Sequence, residues 1–142
     1  MKLKQLSIFL ENQTGNLSGP CKILSQNNIN ILTLSVADTE QFGIMRLIVA
    51  DCDKAKTALE QAGYVVNVAE VVAIEVGDQP GSLGEVLAII EKHNFNVEYM
   101  YAFSGDLKEK AILVFRFEDT DKAIKVLCDD GVNVIKAVEL YN

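Results

Sequence analysis

The stretch Asp78-Gln79-Pro80-Gly81-Ser82-Leu83 lies between an apolar run, Val71 to Val76, and a run of helical periodicity, Leu83 to Ile90. This order predicts a strand, a glycine turn and a helix. Proline presets φ near the start of a helix, and glycine lets the backbone bend sharply or approach a ligand closely. The unpaired amides in the first turn of that helix would point out of the loop, where such groups bind carboxylates and phosphates. The stretch therefore predicts an anion site.

The same pattern recurs earlier in the chain as Asn12-Gln13-Thr14-Gly15-Asn16-Leu17. At the same offset, residues 23–31 align with residues 89–97. Further on, Asp53-Lys54-Ala55 matches Asp121-Lys122-Ala123. A duplication explains this order better than chance does. We predict two modules, residues 1–70 and residues 71–142.

The composition excludes several kinds of partner. The chain has 142 residues, is 49% hydrophobic and carries a net charge of −7, whereas nucleic-acid binding needs a basic face. The three cysteines lack the paired spacing of zinc or redox sites, which predicts reduced thiols in a cytoplasmic protein with no metal and no cofactor. Residues 1–12 alternate polar and apolar side chains, so we expect no signal peptide and no membrane partner.

Each half predicts the same order of elements, β-α-β-β-α-β. In the first module the pattern indicates strands over residues 2–11, 30–37, 43–50 and 64–69, and helices over residues 16–26 and 54–62. In the second it indicates strands over residues 71–76, 96–104, 110–117 and 133–140, and helices over residues 83–90 and 122–130. The fold class is therefore α+β, with two ferredoxin-like modules, each with both helices on one face of a four-stranded antiparallel sheet.

We expect the two modules to pair side by side into a composite eight-stranded antiparallel sheet, because a bare strand edge is better paired. Within one module, the glycine loop and the start of the second strand lie a strand length apart, about 17–20 Å. Asn12 and Asn30 therefore cannot hold one small ligand together. Antiparallel pairing of modules would bring the loop at Asn12 to Asn96, and the loop at Asp78 to Asn30. Such pairing can form within one chain or between copies, and a homo-oligomer is expected.

Other functions that this fold supports need residues that the loops lack. Hydrolysis of acyl phosphates, as in the acylphosphatase family, calls for an arginine after the first strand, but Arg46 and Arg116 lie in predicted third strands. The Cys-x-x-Cys loop of metal carriers is absent. RNA-recognition modules need a basic sheet with exposed aromatic residues, whereas Phe115 and Phe117 belong to an acidic module. We interpret these two phenylalanines as sheet packing.

The loops resemble the signature of the ACT family of amino-acid-binding regulatory modules. That signature is an Asp/Asn-x-Pro-Gly-x-Leu turn opening helix one and an Asn-Ile-like pair opening strand two. Residues 78–83 with Asn96-Val97 match it fully. Residues 12–17 with Asn30-Ile31 match it except that Thr14 replaces proline. The resemblance spans essentially the whole chain, twice.

The resemblance implies a protein that binds a free amino acid at the interface between modules and controls a partner enzyme of amino-acid metabolism. The loop amides would hold the carboxylate, and the side-chain oxygen of Asn12 or Asp78 would take the ammonium group. No nucleophile, base and oxyanion set is discernible, so we predict no catalytic residues and no enzyme. The alternatives are an assembly module with empty loops and, on the same fold, a small acyl-phosphate hydrolase. The candidate ligand-binding residues are Asn12, Gln13, Thr14, Gly15, Asn16, Leu17, Asn30, Ile31, Asp78, Gln79, Pro80, Gly81, Ser82, Leu83, Asn96 and Val97.

Overall fold

The computed structural model describes residues 1–11, 13–38, 41–103 and 109–141. These residues form seven strands and five helices, in an α+β arrangement as predicted. In chain order the elements are β1 (Leu3–Glu11), α1 (Ser18–Gln26), β2 (Ile31–Asp38), β3 (Phe42–Val49), α2 (Cys52–Gln61), β4 (Val65–Gly77), α3 (Ser82–Lys92), β5 (Val97–Phe103), β6 (Lys110–Phe117), α4 (Thr120–Asp129), β7 (Asn133–Val134) and α5 (Ala137–Tyr141). The chain divides into an N-terminal unit, Lys4–Ala69, and a C-terminal unit, Met1–Leu3 with Glu70–Asn142.

The N-terminal unit has the strand order β4-β1-β3-β2. β3 pairs antiparallel with both β1 and β2. Alternate residues of β1 point to one face, so Ile8 and Leu10 are buried beneath the helices. Leu24 of α1 and Leu59 of α2 close this core. Burial of each such side chain stabilises the fold by about 1.5–3 kcal/mol.

The C-terminal unit has the equivalent strand order, β7-β4-β6-β5. Val86 of α3 and Leu127 of α4 cover one face of its sheet. Phe115 and Phe117 are fully buried in this core, with ring centroids 5.5 Å apart. The prediction that these aromatic residues serve packing is confirmed.

The expected count of eight strands is wrong, because β4 is one continuous strand. It joins the predicted last strand of the first module, residues 64–69, to the predicted first strand of the second, residues 71–76. No glycine or proline interrupts the sequence from Val65 to Val76, and its many valines favour an extended chain. Within the described residues, β2 pairs only with β3 and β5 only with β6. The second strands thus each keep a free edge in the described part of the chain, and the composite sheet has seven strands rather than eight.

The last strand predicted for the second module, residues 133–140, is wrong beyond its first two residues. β7 ends at Val134, and α5 follows. β6 and β7 both pair with β4. β7 pairs Val134 with Ile74 and Asn133 with Glu75, and no further residue of the predicted strand pairs within the described residues. Further along β4, the exposed side chain of Glu70 forms an ion pair of 3.2 Å with Lys2.

A short helix replaces the missing part of that strand. The amide of Lys136 donates to Glu139 Oε2 at 2.8 Å, which satisfies a backbone donor at the start of the helix. α5 lines a cavity of about 310 Å³ together with Glu75 and Ile112. Glu75 points away from α3 and α4, because its neighbour Ile74 faces the core beneath those helices. The two predicted helices, α3 and α4, thus share one face as expected, and α5, which the sequence did not predict, lies on the other.

Among the described residues, no helix is long and apolar enough to cross a membrane.

Candidate functional site

The two glycine loops adopt the same backbone conformation. Gly15 has φ of 88° and Gly81 has φ of 94°, values that side chains with a Cβ rarely adopt. A Cβ added at either position would meet no atom within 4 Å. Glycine is thus required by the backbone angle, and the space in front of each loop is open.

The same two backbone hydrogen bonds close each loop. The amide of the second residue after the strand donates to the carbonyl of the last strand residue. The amide of the residue after the glycine donates to the carbonyl of the residue two positions before the glycine. In the first loop these are Gln13 N to Glu11 O at 2.9 Å and Asn16 N to Gln13 O at 3.2 Å, and in the second Gln79 N to Gly77 O at 3.0 Å and Ser82 N to Gln79 O at 3.2 Å. The repeat in sequence is therefore a repeat in hydrogen bonding.

Both loops present unpaired amides at the start of the following helix. In the described part of the chain, the amides of Leu17 and Ser18 donate to no protein acceptor, and neither do those of Leu83 and Gly84. Unpaired amides at a helix start carry a partial positive charge and favour an anion. Each loop can therefore hold a carboxylate without a basic side chain.

The loops differ in what holds them rigid. In the first, Asn16 Nδ2 donates to Glu11 O at 2.6 Å and Ser18 Oγ donates to Gly15 O at 2.9 Å. In the second, Pro80 fixes one φ angle, and the amide of Asp78 donates to Glu109 O at 2.7 Å. The side chains of the first loop thus replace the proline that its sequence lacks.

The charge near the two helix starts also differs. The first turn of α1 contains no acidic residue, whereas the first turn of α3 contains Glu85. Glu85 is exposed, and its negative charge in the first turn opposes the binding of an anion at that helix start. A carboxylate ligand therefore meets a less negative surface at the first loop.

Each loop and the second-strand pair of its own unit lie at opposite ends of the sheet, as the sequence predicts. In the N-terminal unit, Glu11 pairs with Phe42 at one end of β3, and Ile31 pairs with Val49 at the other. This separation along the strand is about 24 Å. The structure therefore does not bring Asn30 to the loop of its own unit.

The C-terminal unit repeats this separation. Gly77, just before the second loop, pairs with Lys110, whereas Val97 pairs with Phe117 at the other end of β6. Asn96 is exposed and Val97 is half-buried. In both units, a ligand at the glycine loop cannot reach the Asn-Ile or Asn-Val pair of the same unit.

Asn30 and Ile31 line a cavity of about 350 Å³ at the end of α1. A second cavity, of about 440 Å³, runs along the outer face of α1 and shares Cys21 and Ser25 with the first. The sequence analysis missed Cys21 and Ser25 as cavity residues. Their i, i+4 spacing, which places both on one helix face, was the available signal.

The structure thus assembles the predicted residues into separate groups. Residues 13–17 form one loop and residues 78–83 another, and the remaining pairs lie apart from them. Leu17 is 52% exposed and Leu83 is 42% exposed, so each loop also offers an apolar side chain. Asn12 lies outside the described residues.

Comparison with known proteins gives matches over the whole chain. A family described as an ACT domain pair matches residues 1–142. The solved structure of protein BT0572 from Bacteroides thetaiotaomicron is 40% identical, with a TM-score of 0.93, over 100% of this chain and 97% of that one. The regulatory subunit of aspartate kinase from Thermus thermophilus is 14% identical, with a TM-score of 0.61, over 89% of this chain and 90% of that one. This last likeness shows the fold alone.

A curated relative matches part of the chain. The acetolactate synthase small subunit of Buchnera aphidicola subsp. Baizongia pistaciae is 35% identical over 79 residues, which are 53% of this chain and 49% of that protein. The chain thus spans about half the length of this relative. Because the family match covers both glycine loops and every described element, the chain belongs to the family of ACT domain pairs.

Proposed function

We propose that this chain is a non-catalytic regulatory protein that binds a free amino acid at its glycine loops. The observation that carries the proposal is the repeated loop, with positive-φ glycines and unpaired amides at the same place in each unit. An amino acid offers a carboxylate to those amides. Its ammonium group needs an oxygen acceptor, which the exposed Asp78 side chain supplies at the second loop.

A complete site requires a second module beside the loop. Asn30 and Asn96 lie at the far ends of their own sheets, so each can contact a ligand only at the loop of a module paired with its own. β2 has a free edge, and on this strand Leu34 is 49% exposed and Val36 is 44% exposed. Free edges and exposed apolar side chains are both typical of association surfaces. The proposed protein is therefore a homo-oligomer whose copies pair through these edges.

The names of related proteins support an enzyme partner. One relative is the small subunit of acetolactate synthase, and one structural neighbour is the regulatory subunit of aspartate kinase. By this analogy, the chain acts in trans on an enzyme of amino-acid metabolism in the cytoplasm. The ligand would carry the signal by binding one paired arrangement more tightly than another.

A thermal-shift screen with the twenty amino acids tests this function. A ligand that binds only the native state stabilises it by about 2.7 kcal/mol at 100 times its Kd, so at least one amino acid is expected to raise the melting temperature. If none does, the loops are empty and the chain is an assembly module, an alternative that the free edge of β2 would then favour.

A matched pair of glycine variants locates the binding. Gly81→Leu places a side chain in front of the second loop, whereas Gly131→Leu imposes similar strain, about 1–2 kcal/mol, at a positive-φ glycine away from both loops. We expect Gly81→Leu to reduce the ligand-induced shift and Gly131→Leu to leave it unchanged. An equal ligand-induced shift in both variants would contradict the proposed place of binding.

A further inference from the structure

Tyr64 lies over the first turn of α1 in the N-terminal unit. A Cβ added at Gly19 would overlap the Tyr64 hydroxyl oxygen and lie 3.4 Å from Tyr64 Cζ. The absence of a side chain at Gly19 therefore makes room for this hydroxyl. The unpaired amides of Leu17 and Ser18 belong to the same helix start.

The end of α2 determines where Tyr64 lies. Gly63 has φ of 92°, its amide donates to Glu60 O at 3.0 Å, and the amide of Tyr64 donates to Leu59 O at 3.1 Å. These two bonds are the Schellman arrangement that ends many helices. The Tyr64 ring then packs against the core of the unit. Backbone and ring are both held, so the hydroxyl has a defined position.

Within the described residues, the Tyr64 hydroxyl makes no hydrogen bond to the protein. Partly buried tyrosine hydroxyls usually have a hydrogen-bond partner. The Tyr64 hydroxyl lies against Gly19, the residue that follows the unpaired amide of Ser18. A hydroxyl and amides at one helix start are all donors, and such donors suit a carboxylate oxygen.

The second unit has the same backbone arrangement at the end of α4, but the residue at the place of Tyr64 has no hydroxyl. The amide of Gly131 donates to Cys128 O at 3.0 Å, and the amide of Val132 donates to Leu127 O at 2.9 Å. Val132 thus occupies the place of Tyr64. In the first turn of α3, Glu85 occupies the place of Gly19, since its amide bonds to the loop glycine in the same way. The second loop therefore has a carboxylate where the first has room for a phenol.

We infer that Tyr64 is a specificity-determining residue of the first loop, where its hydroxyl donates to the carboxylate of the bound amino acid. This inference rests on the proposed function. Hydrogen bonds to charged groups are among the stronger ones in proteins. The first loop consequently binds an amino-acid carboxylate more tightly than the second, where Glu85 adds a like charge.

The test is an NMR titration of the full chain with the amino acid that gives the largest thermal shift. Binding at the first loop is followed at the amides of Leu17 and Ser18. Tyr64→Phe removes only the hydroxyl, and we expect it to weaken binding there by about 10-fold. The carboxamide of the same amino acid lacks the charged oxygen. Its affinity for the wild-type protein and for Tyr64→Phe should therefore be nearly the same.

Two substitutions in the second unit test whether the same arrangement strengthens binding there. Val132→Tyr with Glu85→Gly rebuilds the first-loop arrangement in the second unit. We expect binding at the second loop, followed at the amides of Leu83 and Gly84, to become tighter by about 10-fold. The melting temperature of each variant without ligand checks that the fold is kept.

The outcomes separate this inference from the proposed function. If the wild-type protein binds the amino acid at Leu17 and Ser18 and Tyr64→Phe binds it equally well, the role of Tyr64 is refuted and the proposed function stands. If Tyr64→Phe weakens the binding of the amino acid and of its carboxamide equally, the tyrosine only shapes the loop, and the inference is again refuted. If no amino acid binds the wild-type protein, both fail together.

Discussion

At the scale of single residues, the repeat in sequence corresponds to a repeat of backbone angles. Gly15 and Gly81 share a positive φ, as do Asn28 and Asn94 at the ends of α1 and α3. A positive φ is a local requirement, and few residue types meet it without strain. Sequence alone can therefore locate these turns.

One residue contact makes a testable contribution to stability. His93 Nε2 lies 2.9 Å from Asp130 Oδ2, and Lys92 Nζ lies 3.9 Å from the same oxygen. The hydrogen bond from His93, helped by the charge of Lys92, lowers the pKa of the Asp130 carboxyl below its usual value. Because the folded pKa is the lower one, this contact stabilises the protein above the unfolded pKa, about 3.9. Its contribution is lost as the pH falls through the folded pKa.

Asp130→Asn removes this pH-dependent contribution. We expect the free energy of unfolding to fall at neutral pH and to depend less steeply on pH below about 4. Urea unfolding between neutral and acidic pH measures both effects. Asp129→Asn, at the exposed neighbouring residue, is the control and should behave as the wild type does. An unchanged acid dependence in Asp130→Asn would contradict the assigned role of the contact.

The Tyr64 hydroxyl shows where residue-level prediction stops. Its place over Gly19 depends on two segments that are far apart in sequence and meet only in the folded unit. No local pattern marks such a pair. The glycine turns that hold the candidate residues are predictable from sequence, whereas a residue that comes from another element, as Tyr64 does, is not.

At the scale of elements, the helix starts show how closely boundaries can be predicted. The sequence predicts helices from residues 54 and 122, whereas α2 begins at Cys52 and α4 at Thr120, so Asp53 and Asp121 lie in the first turn. The caps themselves are Asp51 and Asp119, whose side chains accept from Lys54 N and Lys122 N at 3.1 Å. With two aspartates two residues apart, the sequence alone does not distinguish the cap from its neighbour.

Removing an N-cap side chain should lower the free energy of unfolding by a predictable amount. Asp119→Ala leaves the amide of Lys122 without its side-chain acceptor, and such losses destabilise proteins by about 1 kcal/mol. Glu118→Ala, one residue earlier and exposed, is the control and should cost little. Denaturant unfolding compares the two variants, and equal losses would argue against Asp119 as the cap.

The fourth strand of the second unit was not predictable from its own residues. Its sequence favours a strand, yet β7 ends at Val134 and a helix follows. The α5 helix that follows depends on the bond from the Lys136 amide to Glu139. The cavity that α5 lines with Glu75 and Ile112 exists only in the folded unit, so a pattern along one segment cannot reveal it.

Disrupting α5 tests that account of the C-terminal segment. Glu139→Ala removes the acceptor, and we expect the Lys136 amide to lose protection from hydrogen exchange. Glu139→Gln keeps an oxygen acceptor and should retain most of the protection. If protection of the Lys136 amide is unchanged in Glu139→Ala, the side chain does not hold the start of this helix.

At the scale of the whole molecule, duplication gives the chain two loops of the same kind and, among the residues that the structure describes, free edges at β2 and β5. The proposed function needs those edges because each loop lacks the Asn pair of its own unit. Val36→Lys places a charge on the exposed part of β2 without touching the core. We expect it to reduce self-association, measured as mass in solution relative to the 15.6 kDa chain. Val65→Lys, at an exposed position of β4, is the control, and a wild-type monomer would contradict pairing between copies.

The measurement that bears most directly on the proposed function is the ¹H–¹⁵N spectrum of the full chain during titration with each amino acid that raises its melting temperature. The amides of Leu17, Ser18, Leu83 and Gly84 should show the largest shifts, since they are the unpaired donors at the two helix starts. Shifts centred on other residues, with these four amides unmoved, would show that the glycine loops are not where the amino acid binds.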